Sequence, residues 1–406
     1  GSRMSAAAVI RTVDVAVVGA GSMGSMALWH LAKSTGMSVL GIEQYGPAHG
    51  HAAFAGESRL FRAANKEGAL YTAAALEARA LWTELERETG RQLLLKTGVL
   101  AIAPEGHPFL ESTRRSIVEG DLPHRFLDAA ELRREYPQFT VEDGDIGIMD
   151  VLGGGLRSEL AVATAQRAAI RRGAEILYNT PVLGIDEGES GVVISTSEGI
   201  VHAQKVIVTT GAWTTRIVPE LRDLVSAIAI PLTWFMPEDI SQFTPDRFPC
   251  WMRDLDGDHA FGVPTLDGYS VKIAPTARID TIEDPDTDPR ELSRAELRSC
   301  AAIATRMFPG ILPEVVRSSI HPESTTADHV PILDISESGR IVIGAGFSGN
   351  GFKFSPAYGR VLAQLAASGS SALQHPLFTL GHHRRRAQAR ADDLVLADDY
   401  PVLQGH

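Results

Sequence analysis

The stretch from Thr12 to Glu43 constrains this chain more than any other. It reads Thr-Val-Asp-Val-Ala-Val-Val, then Gly-Ala-Gly-Ser-Met-Gly, then an apolar helical run, then Met-Ser-Val-Leu-Gly-Ile-Glu. The run Val13 to Val18, broken only by Asp14, suits a buried parallel strand. Gly19 and Gly21 permit a tight turn and a close backbone approach to a pyrophosphate, and Gly24 lets the next helix pack on the strand. That helix opens on Ser22 and Met23, and its N-terminus offers N–H groups and a positive dipole end to phosphates. Gly36 is expected to stop it, and Val39 to Ile42 to form a second strand ending at Glu43 and Gln44. Glu43 follows Gly24 by about twenty positions, the spacing of an acid that holds a ribose hydroxyl. A Gly-x-Gly-x-x-Gly alone is a weak signal. With strand, helix, second strand and terminal acid in order, dinucleotide binding is the expectation over a chance glycine turn.

The rest of the composition narrows the partners. A chain of 406 residues with 44% hydrophobic content can bury one large or two interlocked cores. A net charge of −12 argues against a nucleic-acid partner, because phosphate binding needs a basic surface. Two cysteines, Cys250 and Cys300, make no disulfide framework. No metal site is expected. Gly-Ser-Arg-Met at the start looks like a cloning scar before a start methionine, and Ala6 to Ile10 is too short for a signal h-region. Without a run of about eighteen apolar residues, no membrane span is expected, and the cytoplasm is the expected compartment.

Gly46, Pro47 and Gly50 mark a loop after Glu43, at the carboxyl end of the sheet where ligands of open α/β folds bind. Leu70 to Glu88 reads as a long amphipathic helix, with Leu76, Leu81 and Leu85 at helical spacing. Leu93 to Ala103 is strand-like, and Pro104 to Glu142 mixes helix and loop. After Gly153-Gly-Gly-Leu-Arg comes the helix Leu160 to Arg171, then a meander of short strands ending in Thr-Gly211-Ala-Trp213. Alternating strands fill Ile228 to Ala274, followed by an acidic loop from Asp280 to Pro289, a helix from Arg294 to Met307 and a strand from Val315 to His321. Gly339 to Lys353 repeats the strand–glycine logic and Ser355 to Ser368 supplies its helix. His382-His-Arg-Arg-Arg386 reads as a solvated helix end. A nucleotide motif at the start and a second glycine loop near the end imply a domain that the chain leaves and re-enters.

The order Gly-x-Gly-x-x-Gly, Gly-Glu-Ser-Arg-x-x-Arg (56–62), Lys-Thr-Gly-Val-Leu (96–100), Thr-Gly-Ala-Trp (210–213) and Gly-Phe-Ser-Gly-x-Gly-Phe-Lys (346–353) resembles the monomeric sarcosine oxidase and N-methyltryptophan oxidase family. These are FAD-dependent amine oxidases of the D-amino-acid oxidase superfamily, and the likeness runs from about Val13 to Phe378. It implies an α/β fold in which a Rossmann-like FAD-binding domain interleaves with an antiparallel-sheet substrate domain. The expected FAD domain spans 10–88, 148–225 and 318–385, the substrate domain 89–147 and 226–317, and a tail 386–406. It also implies a monomer that takes a small amino acid with a secondary amine, and O2 as the oxidant that becomes H2O2. The family's cofactor contacts carry over to Gly19, Gly21, Ser22, Met23, Gly24, Glu43, Gln44, Ser58, Arg59, Val182, Gly211, Trp213, His321, Gly346, Gly349, Gly351, Phe352 and Lys353.

Several residues have a reading of their own beside that likeness. Arg59 and Arg62 are loop cations or, better for an acidic protein, anion binders acting through their planar forks. In the family the position of Arg62 grips the substrate carboxylate and that of Arg59 lies over the flavin. Lys353, between two phenylalanines, reads as a partly buried ammonium, and it matches the family's second carboxylate ligand. Lys272 alternates with Ser270 and Ala274; from the residues alone it is a solvated outer-face lysine, whereas the resemblance places it under the flavin to promote reaction with oxygen.

The departures concern the flavin tether and the substrate pocket. Aligned through Thr326 and Asp328, the family's flavin-linking cysteine becomes His321, and an active-site tyrosine becomes Glu323. Phe261 replaces another tyrosine. Noncovalent FAD is therefore expected, with a histidyl–flavin bond at His321 as the chemical alternative. Glu323 would favour a cationic or polyhydroxyl substrate group, or pair with Arg59 or Lys272. Oxidation of a fructosyl (Amadori) amino acid is the rival by the same chemistry. An NAD-dependent dehydrogenase would share only the first loop, and a flavoprotein without turnover is a third class.

Overall fold

The opening apolar run forms a strand, Val9–Val18, and its buried half Val15–Val18 pairs in parallel with Val39–Ile42 in the register Val15↔Val39. On its other side it pairs in parallel with Gly199–Val208, whose end pairs in parallel with Ile341–Ala345. The computed structural model describes residues 7–65, 68–282, 284–286, 291–389 and 402–403. Glu175–Leu177 extends this parallel set beyond Val39–Ile42. The meander Val182–Glu187 and Val192–Thr196, and the strand Ile332–Ile335, add antiparallel members, making eight strands.

Three helices, Ser22–Ser34, Ser158–Arg171 and Ser355–Ser368, cover one face of this sheet and share a core with Leu28, Trp29, Ala165 and Leu362. The first ends at Ser34, where Thr35 donates its N–H to the Leu31 carbonyl, two residues before the expected stop at Gly36. A Cβ on Gly359 would lie 2.4 Å from the Met26 Cβ, so glycine lets the first and last of these helices touch.

The second sheet has nine strands, and all its pairings but one are antiparallel. Cys250–Leu255 runs parallel to Val99–Pro104, a departure from the antiparallel expectation. The two strands belong to separate excursions of the chain, so no hairpin dictates their sense. A fully buried Arg253 donates to Asp145 Oδ2 at 2.6 Å and ties that strand to Asp145–Asp150. Helix Arg294–Met307 packs below, closed by a capping box between Ser293 and Glu296. The expected boundaries at 147/148 and 317/318 both fall inside strands of this sheet, Asp145–Asp150 and Ile311–Thr325.

A three-stranded sheet, Ser58–Phe61, Gly154–Arg157 and Leu94–Leu95, lies between the two large ones. It carries Ser58 and Arg59 to the seam, with Arg59 opposite Leu156. In helix Leu380–Ala389 the arginines 384–386 are exposed, but His383 is buried against the Pro331 carbonyl and His382 bonds Asp328 at 2.9 Å. The expected scar, much of the acidic loop and most of the tail lie outside the described residues.

Candidate active site

Two spaces meet at the seam. The first, of about 420 Å³, lies over the strand–turn–helix opening. Gly19 has φ +91°, and a Cβ there would lie 2.4 Å from the Thr209 carbonyl oxygen. A Cβ on Gly24 would lie 1.9 Å from the Gly19 oxygen. These two glycines are required by the protein's own packing. Gly21 is different, since a Cβ there would meet nothing nearer than the Phe54 ring at 3.7 Å. It faces the cleft and caps the helix without a side chain, so its missing methyl leaves room for a ligand at the helix N-terminus.

Glu43 is 5% exposed, and its carboxylate accepts the Ala20 N–H at 3.1 Å and the Tyr45 N–H at 2.8 Å. His49 Nε2 stands 3.4 Å away. A fixed carboxylate at the end of the second strand, facing an uncapped helix start, fits the ribose and pyrophosphate of a dinucleotide. Ser22, Met23, Gln44, Val182, Gly211, Trp213, Gly349, Gly351 and Phe352 line the same cleft. Trp213 Nε1 donates to Asp286 at 2.8 Å, and Arg216 pairs with Asp284 and Asp286.

The second space, of about 560 Å³, holds Arg62, Lys353 and His321 in its wall. Arg62 is 7% exposed and acts electrostatically on buried Asp150, whose carboxylate also accepts the N–H groups of Ala63 and Ala64. Lys353 is 4% exposed in the turn Phe352–Phe354, where Trp82 Nε1 donates to its carbonyl at 3.0 Å. Two buried cations in one cavity wall make that wall a favourable place for an anion, since charge-assisted hydrogen bonds to a carboxylate are stronger than neutral ones. Arg59 stands at the seam, donating to the carbonyls of Ser58 at 2.7 Å, Ala55 at 2.6 Å and Ala53.

Lys272 lines neither space and is 1% exposed. Its Nζ donates to the Ser58 carbonyl at 2.8 Å and to Ser58 Oγ at 3.1 Å. The solvated reading of this lysine is therefore wrong: alternation names a face of the strand, and here the Ser58–Phe61 strand covers that face. Burial, then the charge of Arg59, holds its pKa well below the ordinary lysine value against Glu57 and Glu159. His321 bonds Ser319 Oγ through Nε2 at 2.6 Å, and burial with Arg59 and Lys272 pushes its pKa down to about 3, so the ring is neutral. Half-buried Glu323 has its pKa pushed up to about 7 by burial, against Arg59 and the nearby backbone of Gly349 and Ser324, which favour the anion.

Some expected contacts stand back from the cleft. His321 and Lys353 lie on the second space, while Gly24, Ser58 and Gly346 line neither. Gly346, at φ +72°, packs on Thr326, where a Cβ would lie 2.3 Å away. Other residues were not expected. Thr209 Oγ1 donates to the Gly19 carbonyl at 2.7 Å and braces the turn. Asp254 and His259, bonded at 2.9 Å, line the second cavity. A signal for that pair exists in the Asp256-Gly257 dipeptide, whose two-residue hairpin sets Asp254 opposite His259. Among the described residues, no group of three or more His, Cys, Asp or Glu could hold a metal, and no helix is long and apolar enough to cross a membrane.

Comparison with known proteins agrees with this geometry. The family model described as FAD dependent oxidoreductase matches residues 14–365. The chain is 33% identical over 373 residues to the monomeric sarcosine oxidase of Bacillus sp. strain B-0618, covering 90% of this chain and 95% of that one. It is 32% identical over 363 residues to the N-methyl-L-tryptophan oxidase of Salmonella typhi, covering 87% and 94%. Among solved structures it is similar to the open form of NikD, described as an unusual amino acid oxidase essential for nikkomycin biosynthesis. That likeness has a TM-score of 0.80 at 22% identity over 91% of this chain and 97% of that one, and speaks for the fold alone.

Proposed function

The chain belongs to the FAD dependent oxidoreductase family, and from that premise we propose that it oxidises the carbon–nitrogen bond of N-substituted amino acids. FAD, when bound, supplies the acceptor for the two electrons and passes them to O2 to give H2O2. The uncapped helix start at Gly21 would hold its pyrophosphate and Glu43 its ribose. The observation that carries the reading is the pair Arg62 and Lys353 in the wall of a cavity that opens onto the dinucleotide cleft at Arg59. These two cations hold the substrate carboxylate and so fix which carbon faces the cleft. Lys272, behind Ser58, places positive charge where oxygen is reduced. The imine product is hydrolysed to a carbonyl compound and an amine, or leaves as a cyclic imine.

FAD is held without a covalent bond in this reading. Cys250 and Cys300 line neither space, and burial pushes both thiols up to about 12. His321 lies on the substrate side. The name of the Bacillus relative supports a monomer. A second reading, a fructosyl amino acid as substrate, is favoured by the size of the cavity, which falls within the roughly 300–1,000 Å³ of sites for drug-sized ligands, and by hydrogen-bonding groups at Asp254 and His259.

The test is peroxide formation over a panel of sarcosine, N-methyltryptophan, proline, pipecolate and fructosyl amino acids. Arg62→Met should lower kcat/KM by about 10²-fold on every substrate that turns over, the loss of one charge-assisted clamp. Unchanged activity in that variant would refute the clamp. Acid precipitation tests the attachment, since colour left in the pellet would implicate His321.

A further inference from the structure

Five residues line both spaces: Ala53, Arg59, Glu323, Gly349 and Phe352. Atoms that react across the seam must do so beside them. Only Arg59 and Glu323 among the five carry ionisable side chains, and Arg59 is a permanent cation tied to three backbone carbonyls. We propose that Glu323 is the catalytic base that takes a proton from the substrate's ammonium nitrogen. The inference rests on the amino-acid oxidase reading above and adds a proton-transfer step to it.

The chemistry calls for such a group. An amino acid arrives at neutral pH as R2NH2⁺, and its nitrogen then has no lone pair to assist departure of hydride from the adjacent carbon. In the step assigned to Glu323, one carboxylate oxygen gains the proton and R2NH2⁺ becomes R2NH. No electrons are exchanged, and the proton later leaves through the cavity to water.

The surroundings suit a base near neutrality. Glu323 sits on Ile311–Thr325 opposite Ile228, an apolar neighbour on Ser226–Pro237. The N–H groups of Ser324 and Gly349 accompany the carboxylate, and the loop 346–351 brings no charged side chain. Arg59 faces it from Ser58–Phe61 and favours the anion. His321, on the same strand, is neutral. Arg62 and Lys353 lie in the wall of the shared cavity, and Lys272 is held behind Ser58. Burial favours the acid and Arg59 the anion, which balances the group at about 7.

Two measurements test this. The first needs no substrate: the visible absorbance of the flavin in the purified holoenzyme is titrated from about pH 5 to about pH 9. A single step near 7 is expected in the wild type and should vanish in Glu323→Gln, with the ratio of flavin to protein absorbance reporting that FAD is retained. The second is the pH profile of kcat/KM on the best substrate of the panel. The wild type should show an acid limb near 7. Glu323→Gln should lose about 10²-fold or more at neutral pH and recover at alkaline pH, where free amine is present, while Glu323→Asp should keep a limb. An unshifted limb in Glu323→Gln, or a rise in KM with kcat untouched, would overturn the assignment. If Glu323→Gln loses FAD, a wild type without a spectral step, or a Glu323→Asp enzyme that keeps FAD but lacks the acid limb, would overturn it equally. A panel that yields no peroxide sinks the oxidase reading, and the spectral step then still decides whether Glu323 titrates beside the flavin.

Discussion

In the noncovalent reading proposed above, retention of FAD falls on the opening motif, and Glu43→Ala measures how much of it one side chain carries. Each Glu43 oxygen already accepts one backbone N–H, from Ala20 and from Tyr45. A carboxylate offers about four acceptor positions, so each oxygen keeps one for a ribose hydroxyl. A hydrogen bond to a charged group contributes about 1.5–3 kcal/mol, and each 1.4 kcal/mol is tenfold in affinity. Losing one such bond should raise Kd by about 10- to 100-fold, and losing both by about 10²- to 10⁴-fold. Glu43→Gln should do little better, because its amide NH2 would face the N–H of Ala20 or Tyr45. The assay is FAD titration of dialysed apoprotein, followed by flavin fluorescence. Thermal unfolding of the same apoprotein separates affinity from folding, since the stranded N–H groups weaken free and bound protein alike. A hundredfold loss would also remove about 2.7 kcal/mol of the stabilisation given by saturating FAD. A Kd within threefold of wild type in a folded Glu43→Ala apoprotein would refute the reasoning.

Two further outcomes follow from the geometry. Gly24→Ala should cost the apoprotein about 3 kcal/mol or more in thermal or denaturant unfolding, because its Cβ would lie 1.9 Å from the Gly19 oxygen; Gly21→Ala should leave apoprotein stability intact and weaken FAD instead. Lys272→Met should leave reduction by substrate in place and slow reoxidation of the reduced enzyme by O2 about 10²- to 10³-fold in stopped flow. Because the Lys272 pKa is lowered, the wild-type oxygen reaction should fall as pH rises through a value below the usual lysine range, and that limb should be missing from Lys272→Met.

The cofactor half was legible because its signals are local. Val39–Ile42 and Ser355–Ser368, which stops at Gly369, have the ends read from the residues, and so in the substrate half does Arg294–Met307, which opens on the Ser293–Glu296 capping box. The strand ending at His321 was read too short. It runs over Ile311–Thr325 and passes through Pro313 and Pro322. Prolines usually end a strand, and this one tolerates them because it pairs only with Ser226–Pro237 among the described strands, leaving its other edge with no ladder to break. Lys272 was illegible for another reason. Its cover is Ser58, 214 positions away in the chain, and no local pattern reports what lies over a strand.

That difference in strand position also sorts the two charged groups by what they can tolerate. Lys272 is on Val271–Pro275, paired on both sides, with its ammonium enclosed by Ser58 and the Trp234 ring at 5.3 Å. A change of size there must be absorbed by a close-packed interior. Glu323 is on the edge strand, held in register by backbone and opposed by one apolar residue, with its side chain in the space between cleft and cavity. Its chemistry can therefore be altered without moving the sheet. An edge strand that ends at the cofactor seam lets the group beside the reacting nitrogen vary while the lysine beneath stays fixed, and it makes position 323 the place where a change of side chain alters proton handling before it alters the fold.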